Sequence, residues 1–408
     1  MRAPAVFLAI AAAACSSAAR AARNDVVIQW NQQVMATGGP HIERTLAMTH
    51  LAMFDAANAI DPRYAPYLTL PPAPAGANAE AATAAAAHGV LVCLFPAEHE
   101  TLSAALASSL ANVPEGVSRT KGVEFGDLVA RRMYEARFSD ANLAPERLEA
   151  TGTAPGDYRR TDPEPPGPMK PDANARGWKP FAIGSVSQFR PDPPPALTSA
   201  RYTRDFEEVR RRGGASSPRT ADEEQIARWH TEPGWAQLNR IARSEAAADG
   251  RALVDHARLF ALLNLAAADA ELTALDAQSV YRFWRPVTAI RQADLDANPD
   301  TREDPAWSPF LPTPPSPEYP SALVTVQSAG ARVLSEYFGR FHPFHTASST
   351  LPGVTRAYEN FDAFAEEGAT AGILGGTQFR TSVDQGIRTG ADVADWVLGH
   401  CLRALKAQ

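Results

Sequence analysis

The sequence has little of what nucleic-acid binding requires. Its 39 Lys and Arg are outnumbered by 46 Asp and Glu, for a formal charge of −7, and the cations are interleaved with carboxylates instead of gathered into a basic face. Cysteine is nearly absent, with three in 408 residues. Cys93 and Cys401 lie far apart and lack the paired spacing of a zinc site or redox motif, so they are expected as two buried thiols and not as a disulfide. Past the amino terminus no run reaches the roughly 20 apolar residues of a membrane span. No stretch alternates apolar and polar residues convincingly enough to read as a strand. Hydrophobic residues still make up 45% of the chain, which supplies a large core and excludes general disorder.

At the amino terminus, Arg2 precedes an apolar run from Ala3 to Ala14 and small residues ending in Ala19-Arg20-Ala21. Residues 1–21 therefore read as an export signal, and the protein is expected in the periplasm or secreted. A lipid anchor through Cys15 is the alternative, disfavoured because the position three before it lacks a larger aliphatic residue.

Helical periodicity dominates the rest of the chain. Ile42, Leu46, Met53, Ala57 and Ile60 keep to one helix face, and the same period returns over 81–95, 123–137 and 222–243. The last is opened by Thr220-x-x-Glu223, a capping-box pattern. Residues 253–275 are apolar nearly all round, as in a helix at the centre of a bundle. Between 151 and 195 the composition changes: eleven of the 34 prolines fall there, so no long helix or sheet can cross it. Trp178, Phe181 and Phe189 punctuate this segment, which predicts a strap packed on helices and not a free linker. A second cluster, Pro312 to Pro320, fixes the start of a helix over 321–338. The expected architecture is all-α, a large helical bundle in one domain over 22–408.

Three segments carry a recognisable order: Tyr281-Arg282-Phe283-Trp284-Arg285-Pro286-Val287-Thr288-Ala289-Ile290-Arg291, Pro314-Pro315-Ser316-Pro317-Glu318-Tyr319-Pro320-Ser321, and Gly375-Gly376-Thr377-Gln378-Phe379-Arg380. Together they resemble the bacterial vanadium-dependent haloperoxidases, a family that shares its helical fold and oxyanion site with the phosphatidic acid phosphatase type 2 superfamily. The resemblance implies a site over 276–390 that holds vanadate or phosphate. The family builds it from a Lys and an Arg seven residues apart, the second followed by Pro, then a Pro-Ser-Gly-His turn and a Ser-Arg…His…Asp segment. Those types suit the chemistry: cationic donors hold a multiply charged oxyanion, one His bonds the metal or attacks phosphorus, and another moves protons.

In this sequence the pattern is mostly broken. Arg285-Pro286 matches, but Gln278 stands where Lys is expected. Pro320-Ser321 begins the turn, yet Ala322 and Leu323 occupy the Gly and acid–base His positions. Ala371-Gly372 replaces Ser-Arg, Gln378 replaces the covalent His, and Ser382 replaces the Asp. At roughly 1.5–3 kcal/mol per charged hydrogen bond, the loss of three charged donors removes on the order of 5–9 kcal/mol of anion binding.

The expectation is therefore a degenerate site with catalytic residues unknown, no vanadate or other cofactor, and no metal. Its candidate pocket is Gln278, Arg285, Ser321, Ala322, Gly372 and Gln378. Arg380 and His345 are second choices that could rebuild an anion site, and Arg282 is placed on one helix face with Arg285. Arg380 and Arg291 otherwise read as framework arginines salt-bridged to carboxylates. His342 and His345 have a turn spacing that is weak evidence for a metal without a further ligand. The leading reading is a pseudoenzyme that binds a small molecule. A vanadate-independent enzyme that polarises a carbonyl, or residual haloperoxidase or phosphatase activity, are the alternatives. No nucleic-acid partner and no membrane span are expected.

Overall fold

The computed structural model describes residues 25–39, 41–139, 152–161 and 178–405. The leader over 1–21, Cys15 and the Pro-rich stretch from 162 to 177 lie outside them. The regular secondary structure of the described chain is helical apart from one short hairpin. The described residues fall into two compact units. One comprises the described residues of 1–139, 239–265 and 398–408, the other those of 140–238 and 266–397.

In the first unit, α1 (Val26–Thr37), α2 (Ile42–Ile60), α3 (Ala79–Leu94), α4 (His99–Leu110) and α5 (Val117–Arg137) follow in order. Helices α3 and α5 meet along small residues. A Cβ on Gly126 would lie 2.3 Å from the Ala82 carbonyl oxygen, and one on Gly122 would lie 2.5 Å from that of Asn78. Glycine is thus obligatory where these backbones touch. Cys93 and Cys401 do not pair with each other, and both are half-buried where full burial was expected.

This unit also buries a chain of amides. Asn31 Nδ2 bonds Asn239 Oδ1 at 2.7 Å and approaches His50 Nε2 at 2.9 Å, and Asn239 and Asn264 exchange amide bonds. Complete burial, aided by Arg243, pushes His50 down to about 3, so it is a neutral acceptor within the core.

His256 is the opposite case. Its two ring nitrogens contact Asp25 at 2.5 Å and Asp249 at 2.7 Å. Asp25 Oδ1 meanwhile caps α1 by accepting from Val27 and Ile28. Burial opposes charge on this ring, but the hydrogen bonds to Asp25 and Asp249 prevail and raise its pKa. A raised histidine contributes stability that is fully present below its unfolded value near 6.5 and is lost as pH rises through the folded value. The stability difference between wild type and His256→Gln, read from urea unfolding, is therefore larger at pH 6 than at pH 10. A pH-independent difference contradicts the clamp.

The second unit contains α6 (Ala200–Arg212), α7 (Ala221–Trp229), α10 (Pro286–Arg291), α11 (Ala322–Phe338), β1 (Phe344–Ala347), β2 (Thr355–Tyr358) and α12 (Phe361–Leu374). It also holds parts of α8 (Gly234–Asp249), α9 (Leu253–Tyr281) and α13 (Arg380–His400). The expected helix over 222–243 is two helices. Pro233 has no N–H and its ring collides with a helical carbonyl four residues back. The Trp229 carbonyl thereby released accepts instead from Ser348 Oγ at 2.8 Å and Thr350 Oγ1 at 3.1 Å. The Thr220–Glu223 capping box forms in full.

The hairpin corrects the expectation of no strands. Its antiparallel register pairs Phe344 with Tyr358 and Thr346 with Arg356, and four residues per strand are too few for a legible alternation. Arg356 then forks onto Glu367 at 2.8 Å through both arms. Burial would raise Glu367, but hydrogen bonds from His230, Arg356 and Tyr358 bring it down to about 2. His230 is buried and neutral, with Nε2 directed at Glu367 and Nδ1 accepting from Gln327.

From 178 to 195 the strap packs along one face of α9. Asp269 accepts the backbone N–H groups of Phe181, Ala182 and Ile183 at 2.7, 2.7 and 3.0 Å. Trp178 and Val186 cover Leu272, and Arg190 reaches Asp276 at 2.6 Å. Asp269, Leu272 and Asp276 fall at i, i+3 and i+7, a single helical stripe.

Candidate functional site

Helix α9 ends at Tyr281, and Arg282 turns the chain with φ +46°. The next residues run beside 156–158: Tyr158 N–H bonds the Arg282 carbonyl at 2.6 Å, and Trp284 N–H bonds that of Gly156 at 2.8 Å. Arg285 then caps α10, with Pro286 at its first position. Arg282 and Arg285 do not share a helix face, because the helix on which the sequence placed both ends before Arg282. A cis Tyr319–Pro320 bond leads into Ser321, the N-cap of α11, whose side chain accepts from Val324 N–H.

Most of the candidate pocket residues form one hydrogen-bonded knot. Gln278 Nε2 donates to the Pro320 carbonyl at 2.9 Å. Ser321 N–H bonds the Ser382 carbonyl at 3.3 Å, and Ser382 Oγ lies 3.2 Å from Gln378 Oε1 and 2.9 Å from the Glu318 carbonyl. Gln378 folds over Gly372: its N–H bonds the Gly372 carbonyl at 3.2 Å, and a Cβ at position 372 would meet Gln378 Cγ at 2.9 Å. Ala322 and Leu323, half-buried on the first turn of α11, present only carbon.

Arg285 is buried, at 1% exposure. Nη1 donates to the Pro314 carbonyl at 2.8 Å and Nη2 to the Arg159 carbonyl at 2.5 Å, and its guanidinium lies 4.8 Å from the Tyr158 ring centroid. The cation thus ties the 152–160 segment to the proline-rich loop. The second choices stand elsewhere. Arg380 is forked onto Glu208 at 2.7 and 3.1 Å, as a framework arginine would be. Arg291 donates to the Trp307 carbonyl at 2.8 Å. His345 is exposed on β1, and His342 stacks on Phe361 with ring centroids 5.5 Å apart. Among the described residues no cluster of His, Cys, Asp and Glu could hold a metal.

Sequence reasoning passed over Glu318. Its Oε1 accepts the Phe379 N–H at 2.7 Å, and Oε2 is buried with no hydrogen-bond partner among the described residues. Full burial holds its pKa well above the usual carboxylate range, against the opposing bonds from Phe379 and Ser382. A single Glu between prolines looks like a surface loop, so only packing reveals it.

Residues 258–407 match the family described as VCPO second helical-bundle domain. The vanadium chloroperoxidase of Curvularia inaequalis is 28% identical, over 74% of this chain and 62% of its own. This chain thus spans less than two thirds of that relative. Among solved structures, a bacterial vanadium-dependent iodoperoxidase superposes with a TM-score of 0.75 at 23% identity, covering 94% of this chain and 97% of its own. A bacterial vanadium-dependent chloroperoxidase gives 0.69 at 18%, covering 88% and 93%. At those identities the structural likeness speaks for the fold.

Proposed function

We propose that this chain is a member of the vanadium haloperoxidase family that has lost the family's oxyanion chemistry and binds an uncharged small molecule in the reworked pocket, as an exported binding protein without turnover. The observation that carries this reading is Arg285. The cation retained from the family pattern donates to two backbone carbonyls, which is the work of a structural tie.

The residues present do not fit vanadate. Gln278 and Gln378 bring amides where the resemblance implies Lys and His. Gly372 contributes no side chain, and Gln378 packs over it. Leu323 has no proton to transfer. A buried acid, Glu318, whose pKa burial raises well above the usual carboxylate range, stands beside Ser382 and offers an oxyanion no positive charge. No step through vanadate is therefore derived.

The test is activity of the well-folded protein with peroxide, bromide and added vanadate, and separately with a phosphate ester. The expected result is no bromide-dependent oxidation and no phosphate release above buffer. Vanadate-dependent bromide oxidation overturns the reading. One observation favours a second reading, a vanadate-independent enzyme: Glu318 could protonate a carbonyl bound near Gln378. Turnover without vanadate that is abolished in Glu318→Ala, in a protein that still folds, would favour it.

A further inference from the structure

Two oxygens in the knot lack what buried polar atoms ordinarily have. Gln278 is 3% exposed and Glu318 1% exposed, yet Gln278 Oε1 and Glu318 Oε2 have no hydrogen-bond partner among the described residues. The amide orientation of Gln278 is fixed, because the Pro320 carbonyl can only accept and must face Nε2. The orientation of Glu318 is fixed in the same way. Oε1 accepts from Phe379, so in the neutral acid the proton sits on Oε2.

The two groups belong to one place. Gln278 bonds Pro320, and Glu318 lies two residues before Pro320. The Glu318 carbonyl takes Ser382 Oγ, which also contacts Gln378. Buried polar atoms are ordinarily hydrogen-bonded, and two unsatisfied oxygens in one knot leave places that a donor and an acceptor from outside the chain would complete.

We propose that Gln278 Oε1 and Glu318 Oε2 are the recognition pair for a small neutral ligand of the carboxamide class, whose N–H donates to Gln278 and whose carbonyl accepts from Glu318. The proposal rests on the reading that the pocket no longer takes oxyanions. An amide carries donor and acceptor on separate atoms, so it can serve both groups at once. A charged ligand is disfavoured, since an ion would lose its hydration in this buried knot. Burial holds Glu318 well above the usual carboxylate range, which favours the acid form that donates from Oε2.

The probe is acetamide, followed by ligand-observed NMR with the full chain, with methylammonium and orthophosphate as charged comparisons. Wild type should bind acetamide saturably. Glu318→Gln should retain binding within about threefold, because glutamine keeps an acceptor for Phe379 and a donor for the ligand. Gln278→Met should weaken it about tenfold or more, the equivalent of one lost hydrogen bond. Gln278→Lys provides a second test if that variant fails to fold: Lys keeps a donor for the Pro320 carbonyl but removes the acceptor, and binding should again fall. No saturable acetamide binding, unchanged binding in the Gln278 variants, or tighter binding of methylammonium overturns the carboxamide site. Micromolar orthophosphate binding would instead sink the underlying reading.

Discussion

Replacing Arg285 by Ala lowers the free energy of unfolding by about 3–5 kcal/mol, and added phosphate leaves that loss unchanged. The magnitude follows from what the guanidinium does. Two hydrogen bonds from a charged donor, each worth roughly 1.5–3 kcal/mol, end on the carbonyls of Pro314 and Arg159, and both would be left without that donor. Arg285→Lys should recover only part of the loss, because one ammonium cannot reproduce a fork spanning two carbonyls. Urea unfolding of the three proteins, with and without 10 mM phosphate as a probe on the order of weak-anion affinities, makes the comparison. A loss below about 1 kcal/mol, or a wild type that phosphate stabilises through Arg285, would return the cation to ligand binding.

Asp269→Ala should have a comparable effect, about 3–5 kcal/mol. The buried carboxylate gathers three consecutive N–H groups of the strap, and alanine leaves all three without an acceptor in the core. Asp269→Asn should recover less than half, since its amide turns an N–H₂ toward other N–H groups. Trp178 is buried against Leu272 beside this anchor, so proteolysis within the strap should become faster at the same time. An Asp269→Ala protein as stable and as protease-resistant as wild type would contradict the assignment of the strap as a packed element.

The helix over Ile42–Ile60 was legible in its bounds, which expectation and structure share, but every residue from Thr45 to Asn58 is buried and not the predicted face alone. The break at Pro233 was written in the sequence too, but a helical period on both sides concealed it. The hairpin was invisible because its strands are only four residues long. At the site, the missing Lys, Arg and His were plain from residue identity. Neither the way Arg285 is used nor the burial of Glu318 could be read that way, since the first depends on Arg159 and the second on Phe379, each distant in sequence. Arg282 shows the limit of spacing arguments: three residues imply a shared face only while the helix continues.

The measurement that most directly tests the loss of oxyanion chemistry is isothermal titration of the purified protein with orthovanadate near neutral pH, with phosphate as control. No binding up to concentrations on the order of millimolar is predicted, a limit of about −4 kcal/mol. Binding on the order of micromolar, about −8 kcal/mol, would mean that other side chains have rebuilt the oxyanion site, and would contradict the account.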